Sequence, residues 1–386
     1  MNKKAFSICV VTGSRADYGL LQPIIQELSD AIDFDLSIIA TGMHLSPEFG
    51  LTYQEIIGDG YHIDAKIEIL LSSDSGVGTA KSMGLAVSGF ADTFNKLNPD
   101  YVLLLGDRFE ILAAAQTALV MCLPIIHFSG GDITRGAFDD AIRHAITKMA
   151  SIHFVASKDA ADRALQMGEE KQRVYIVGDP GLDALRTMKL MTRKDLETDL
   201  GFRFCEKNFL ITFHSATLDT VSSVDQFTAL LEALDFYPDI GLIFTKPNAD
   251  PEGRRLIKIL DSFAKSRPNT IVFTSLGHHR YLSTMNQVSL VIGNSSSGLL
   301  EAPSLKKPVV NIGGRQEGRL RASCVLDCPP ERDDIRNAIK NALVIDCSKV
   351  TNPYGDGYTA EKAIKILRRL DDPKSLVRKK FIDRPL

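Results

Sequence analysis

The chain has 386 residues, more than a single hydrophobic core usually supports, so two domains of ordinary size are expected. Hydrophobic residues make up 44% and charged residues 24%, the balance of a soluble globular protein. A formal net charge of -3 argues against a nucleic-acid-binding surface as the main business.

The opening apolar stretch, Phe6 to Val11, ends at Gly13-Ser14-Arg15, too early for a secretory signal. No run approaches the ~20 apolar residues that cross a bilayer, and a cytoplasmic protein with no membrane partner is the expectation. Short runs rich in Val, Ile and Leu then alternate with longer helix-like stretches. Strands are predicted at 6–12, 35–40, 101–105, 124–128, 152–156 and 174–177, and again at 208–213, 241–245, 271–274, 289–292, 308–312 and 323–326. These runs are continuous rather than alternating, as parallel strands covered on both faces require. Between them lie helical patterns such as Phe109–Met121, with Ile111, Leu112, Ala115, Leu119 and Val120 read along one side.

The expected fold class is α/β, with two Rossmann-like domains facing across a cleft. Their boundary is placed at Gly178-Asp-Pro-Gly181 and the charged stretch that follows it, Arg186 to Glu206. The first domain is taken as 1–180 and the second as 181–358, with an amphipathic helix, Thr359–Leu370, packed back on the first. The basic tail beyond Asp371 reads as loosely held. Six scattered cysteines (Cys9, Cys122, Cys205, Cys324, Cys328, Cys347) form no CxxC pair, so neither a metal site nor a disulfide framework is expected.

Three strand ends in the first half share a design: Val11-Thr-Gly13-Ser-Arg15, Leu105-Gly106-Asp107-Arg108 and Phe128-Ser-Gly-Gly-Asp132. In each, glycine allows a tight turn and a charged side chain follows at the mouth of the sheet. Arg15 and the first amides of a helix beginning near Asp17 would hold a phosphate. Seven residues after Asp132 comes an acidic helix start, Asp139-Asp140-Ala-Ile-Arg143-His144, which gathers His127, Asp132, Asp139, Asp140, Arg143 and His144 around one loop and one helical face. Titratable groups of both signs crowded there point to acid–base work on a bound anion. The plainer alternative is a solvated helix face with weak Asp–Arg pairing.

Neither a dinucleotide fingerprint nor a P-loop is present. GxGxxG spacing is missing after Gly13, and Gly76-Val-Gly78-Thr-Ala-Lys81-Ser82 lacks the Gly-Lys-Ser/Thr adjacency. In the second half, Gly293-Asn-Ser295-Ser296-Ser297-Gly298-Leu-Leu-Glu301 joins a strand to a helix and reads as an anion nest for a pyrophosphate, with Glu301 placed for ribose hydroxyls. A serine-rich helix cap is the alternative. Further polar loops lie at Phe213-His214-Ser-Ala-Thr217, Lys246-Pro-Asn248-Ala-Asp250 and Gly313-Gly-Arg315-Gln-Glu-Gly-Arg319. Together they favour a nucleoside diphosphate as ligand.

With these motifs in place the chain resembles the UDP-N-acetylglucosamine 2-epimerases, particularly the hydrolysing branch that supplies N-acetylmannosamine for sialic-acid synthesis. The matching text is Thr12-Gly-Ser-Arg15-Ala-Asp-Tyr-Gly, Thr41-Gly-Met-His44, Lys81-Ser-Met-Gly, Gly106-Asp-Arg108, the run from Asp139 to Lys148, Gly293 to Gly298 and Gly314 to Gly318. The resemblance implies a glycosyltransferase-B-like pair of domains and a small-molecule UDP-sugar substrate. Arg15, His44, Lys81, Ser295, Ser296, Ser297, Gly298, Glu301 and Arg315 would bind UDP. Asp107, His127, Asp132, Asp139, Asp140, Arg143 and His214 would surround the sugar. It also implies no metal, no nicotinamide and a homodimer or homotetramer. Ser129 and Asp132 depart from the family's usual glutamate or histidine and glutamate, which points to a modified sugar such as UDP-N,N′-diacetylbacillosamine, used on the way to legionaminic acid. A non-hydrolysing epimerase, a glycosyltransferase of the same architecture and a non-catalytic nucleotide-sugar sensor remain as alternatives.

Overall fold

The structure is a computed structural model that describes residues 6–71, 75–133, 139–214, 222–246, 253–370 and 372–384. The chain divides into two compact units: Met1–Ala184 with Gly355–Leu386, and Leu185–Tyr354. Each is a parallel-sheet α/β unit.

In unit 1 the strands are β1 (Phe6–Thr12), β2 (Phe34–Thr41), β3 (Ala65–Ile67), β4 (Tyr101–Leu105), β5 (Ile125–Phe128), β6 (Ile152–Val155) and β7 (Val174–Ile176). They form one seven-stranded sheet in the order β3-β2-β1-β4-β5-β6-β7. Alternate residues of one strand feed different cores. Ile8 and Val10 of β1 join Leu103 and Leu105 of β4 on one face, whereas Cys9 and Val11 join Val102 and Leu104 on the other. Burial on both faces explains why these strands read as unbroken apolar runs. The three-residue edge strand β3, with an exposed lysine at its centre, carries no such run and was not predicted.

Two expectations fail here for reasons of packing. The helix Phe109–Val120 buries Ile111, Ala114, Ala115 and Ala118, while Leu119 and Val120 stand 48% and 82% exposed. Nor is the basic tail loosely held. The helix Thr359–Leu367 puts Ala363, Ile364 and Leu367 into the same core as Leu21 and Ile25. Its first amides, of Thr359 and Ala360, donate to the buried carboxylate of Asp183 at 2.8 and 2.7 Å. Farther on, Arg173 donates to the Leu376 carbonyl at 2.6 Å. Lys379 donates to the carbonyls of Lys148 and Ala150 and to Glu169, at 2.6, 2.7 and 2.7 Å. Asp371 lies outside the described residues.

Unit 2 holds β8 (Asn208–Thr212), β9 (Gly241–Thr245), β10 (Thr270–Phe273), β11 (Leu290–Gly293), β12 (Val309–Ile312) and β13 (Val325–Cys328). Its six strands run in the order β10-β9-β8-β11-β12-β13, around a core that includes Phe209, Ile211, Leu242, Phe244, Ile292 and Val310. The charged stretch expected to link the domains contains a helix, Arg193–Leu200, ended by Gly201. Among the described residues no helix is long and apolar enough to cross a membrane. All six cysteines are free thiols, and burial pushes Cys324 and Cys328 up to about 12.

Candidate active site

Both sheets reverse their strand order at one point, between β1 and β4 in unit 1 and between β8 and β11 in unit 2. The crevice beyond the carboxyl ends of strands at such a point is where open α/β sheets bind ligands. The turns that leave these four strands carry Arg15, Asp107, His214 and the serines 295–297, respectively. Topology thus selects the residues that the motifs had singled out.

In unit 1, Arg143 on the helix Asp139–Met149 reaches back to Asp107 at the end of β4, with Nε 3.0 Å from Oδ2 and a second nitrogen on the same oxygen. The pair is largely withdrawn from solvent, at 12% and 19% side-chain exposure, so it is worth more than a surface ion pair. Asp139 begins the same helix. Burial and the neighbouring Asp107 raise its carboxyl above the usual range, against the pull of Arg108 and Arg143. A carboxyl held above its normal range beside an ion-paired one is the arrangement that divides acid and base roles. Asp140 pairs with His144 at 3.5 Å one turn along, and Asp132 follows the glycine pair that ends β5. Ser129, just before that pair, adopts φ 61, a left-handed conformation uncommon outside glycine.

His127 does not face this cluster. It is fully buried, with Nε2 donating to the Gly106 carbonyl at 2.8 Å and Nδ1 left as an acceptor 3.4 Å from the Thr147 hydroxyl. Burial lowers it to about 3, so it is a neutral strut that fixes the Gly106-Asp107 turn. His44 is also fully buried, its ring nitrogens 3.0 and 2.8 Å from the hydroxyls of Thr12 and Thr52. Burial lowers its pKa, opposed by Asp17. It pins two strand-end turns together and presents no ring nitrogen to a nucleotide.

Arg15 is the exposed first residue of the helix Arg15–Asp30, two residues earlier than the predicted start. The amides of Gly13 and Ser14, just ahead of the helix, donate to Asp17 at 2.8 and 2.7 Å, and the Asp17 amide turns to the Ser14 hydroxyl at 3.5 Å, a reciprocal cap of the helix end. Lys81 is exposed in the first turns of the helix Gly76–Leu97. Gly76 and Gly78 lie within that helix, so they form no phosphate-cradling loop.

In unit 2, Gly293 ends β11 at φ 135, and a Cβ there would fall 1.9 Å from the Thr212 carbonyl oxygen. Only glycine lets the serine turn leave the sheet so close to β8. Asn294 then ties the turns together. Its side chain accepts from the His214 amide and donates to the His214 carbonyl, at 2.8 and 2.9 Å, and its own carbonyl accepts from Arg315 at 2.9 Å. Within the turn the Ser297 hydroxyl lies 2.6 Å from Tyr281 Oη and 3.1 Å from Ser295 Oγ. Tyr281 in turn approaches Thr212 at 3.3 Å. Asn294 sat inside the predicted motif but was given no role, and Tyr281 was missed altogether, because nothing in its own helix marks it as facing a turn on another element. Ser296, Gly298 and Glu301 share the short helix at Ser297–Leu300 or its flanks. Residues 215–217 and 247–250, with Thr217, Asn248 and Asp250, lie outside the described residues. Lys246 is paired with Asp261 at 3.0 Å.

A sequence profile described as UDP-N-acetylglucosamine 2-epimerase matches residues 26–368. A "GDP/UDP-N,N'-diacetylbacillosamine 2-epimerase (hydrolyzing)" of Campylobacter jejuni is 43% identical over 83% of each chain. A "UDP-N,N'-diacetylbacillosamine 2-epimerase (hydrolyzing)" of Legionella pneumophila is 35% identical over 94% of this chain and 96% of its own. Among solved structures, UDP-GlcNAc 2-epimerase of Neisseria meningitidis bound to UDP-GlcNAc superposes with TM-score 0.76 at 20% identity, over 94% of this chain and 100% of that one. The two parallel sheets, their reversal points and this extent of likeness together place the chain in the UDP-N-acetylglucosamine 2-epimerase family of enzymes.

Proposed function

We propose that the protein hydrolyses and epimerises a UDP-linked 2-acetamido sugar, releasing UDP and the free 2-epimer. UDP-N-acetylglucosamine is one candidate substrate, and UDP-N,N′-diacetylbacillosamine, its 4-acetamido-6-deoxy relative, fits better. The observation that carries this reading is the 43% identity, over 83% of the chain, to an enzyme named a hydrolysing 2-epimerase of GDP- or UDP-linked N,N′-diacetylbacillosamine.

In this reading UDP leaves C1 while a carboxylate takes the proton from C2, giving a glycal. Water then adds to C1, and C2 regains a proton on the opposite face. The C2–H bond is barely acidic, so loss of the diphosphate runs ahead and positive charge builds on the ring. Asp107, held by Arg143, is assigned to stabilise that charge. Asp132, Asp139 and Asp140 supply the base and the acid, and the raised carboxyl of Asp139 suits the group that returns the proton. Arg15, Ser295, Ser296, Ser297, Gly298, Glu301 and Arg315 are assigned to UDP, where donors facing the departing diphosphate are commonly worth several kcal/mol. The reading carries with it a cytoplasmic homo-oligomer whose product feeds sialic- or legionaminic-acid synthesis.

The test is incubation with each UDP-sugar and no acceptor, followed by NMR. Stoichiometric UDP and free 2-epimer are expected. A UDP-linked epimer without UDP release would assign the non-hydrolysing reaction instead, and no turnover of either sugar would overturn the reading.

A further inference from the structure

A cavity of about 610 Å³ opens in unit 1 beside the candidate catalytic turn, within the size range of small-molecule sites. One wall is Arg108, the residue after Asp107, and another is Met43, between Gly42 and His44 in the turn after β2. Phe49 and Leu71 also line it and remain 44% and 41% exposed. They give the cavity an apolar side, where covering by an apolar group is favourable.

The charges define the rest of the ligand. Arg108 is anchored from behind, its Nε donating to Glu110 and a terminal nitrogen lying 3.2 Å from the Met43 sulfur. Glu110 is fully buried at the base of the β1 and β2 turns, so close that a Cβ on Gly13 would meet its Oε1 at 2.4 Å. Arg108 is thus held on its Nε side by Glu110 and faces the cavity with the rest of its guanidinium. Glu48, also on the cavity wall, adds a carboxylate. With one cation and one carboxylate, this lining does not call for a charged occupant. It suits a neutral group with one acceptor and one donor: an amide oxygen for Arg108 and an amide N–H for Glu48.

We propose that this cavity is the subsite for the C4 and C6 substituents of the sugar, reading a 4-acetamido group through Arg108 and Glu48 and a 6-methyl group through Met43, Phe49 and Leu71. The inference rests on the epimerase reading above and names the feature of the substrate that the enzyme selects. On a pyranose ring, C4 and C6 lie away from the reacting C1–C2 edge. A subsite whose wall is the residue after Asp107, and whose lining includes none of Asp132, Asp139 and Asp140, matches their position. A 6-hydroxymethyl group would lose its hydrogen bonds against the apolar wall, whereas a methyl group loses none.

The experiment compares kcat/KM for UDP-N,N′-diacetylbacillosamine and for UDP-N-acetylglucosamine in wild type, Glu48→Ala and Phe49→Ala. Both residues are exposed on a short turn, so the fold tolerates the changes. Wild type is expected to prefer the diacetamido sugar. Each variant should lose about ten- to a hundredfold on it while changing less than about threefold on UDP-N-acetylglucosamine. Equal losses on both substrates, unchanged discrimination, or a change only in the cooperativity of the substrate curve would overturn the proposal. So would a wild type that prefers UDP-N-acetylglucosamine, with the epimerase reading intact. Inactivity of wild type on both sugars would instead fail the epimerase reading.

Discussion

Lys379→Met asks whether the C-terminal tail belongs to the folded unit. The side chain is 17% exposed and satisfies two main-chain carbonyls at the end of the helix Asp139–Met149 together with Glu169, itself 1% exposed. Methionine keeps the apolar stem and removes all three hydrogen bonds. Severing a fully buried charge pair costs about 3–5 kcal/mol. Here Lys148 and His153 still contact Glu169, at 2.6 and 2.9 Å, which offsets part of the lost cation. The carbonyl of half-buried Lys148 regains water, whereas that of Ala150, a fully buried residue, is left without a partner from Lys379. A net loss of about 2–3 kcal/mol remains, one hydrogen-bonded charge with its satisfied acceptors. For a unit of this size that lowers the melting temperature by about 5–10 °C. Since the chain has no tryptophan, the assay is calorimetry, with the exposed neighbour Lys380→Met as control, expected within about 0.5 kcal/mol of wild type. Equal melting of the two variants would show that the tail is only draped on unit 1 and would refute the reasoning.

Other consequences follow from single features. His127 falls to about 3 in the folded chain against ~6.5 when unfolded, so protons favour the unfolded state. Its contribution is intact above about pH 6.5 and is lost at about 1.4 kcal/mol per pH unit as the pH falls. His127→Gln should flatten the acid limb of a urea-midpoint curve, and an unchanged slope would deny the neutral-strut role. Gly293→Ala forces a Cβ against the Thr212 carbonyl at φ 135. It should raise KM for the UDP-sugar at least about tenfold as the serine turn is displaced, because small misplacements are costly; an unaltered KM counts against that turn as the nucleotide site. Asp107→Asn keeps the shape and removes the charge, and kcat should fall about 10²–10³-fold. A fall confined to KM would place Asp107 in binding alone.

Much of the fold was legible because parallel strands buried on both faces spell themselves out, as β4 does with Tyr101-Val-Leu-Leu-Leu105. The edge strand β3 was not, since hydrogen bonding to β2 rather than composition makes it a strand. Strand-end turns were legible through Gly-Asp and Gly-Ser pairs, because a sharp exit from a sheet needs glycine. What each turn's side chains do was less so. His44 and His127 look like site residues in a string of letters, yet burial makes them struts. Asp17, which reads as an ordinary helix-start acid, folds back to hold the Gly13 and Ser14 amides and so caps its own helix. Tyr281 was invisible because its partner Ser297 lies on a different element. The tail looked loose because its anchors, Glu169 and Arg173, lie about two hundred residues earlier.

The central claim is that UDP departs from C1 as a carboxylate breaks the C2–H bond, and that water captures the resulting glycal. Running the reaction in heavy water and reading C2 of the sugar by NMR tests it most directly. The account predicts free 2-epimer carrying one deuterium at C2, matched mole for mole by UDP. Free 2-epimer that retains its original hydrogen at C2, or label that accumulates only in UDP-linked sugar, would contradict it.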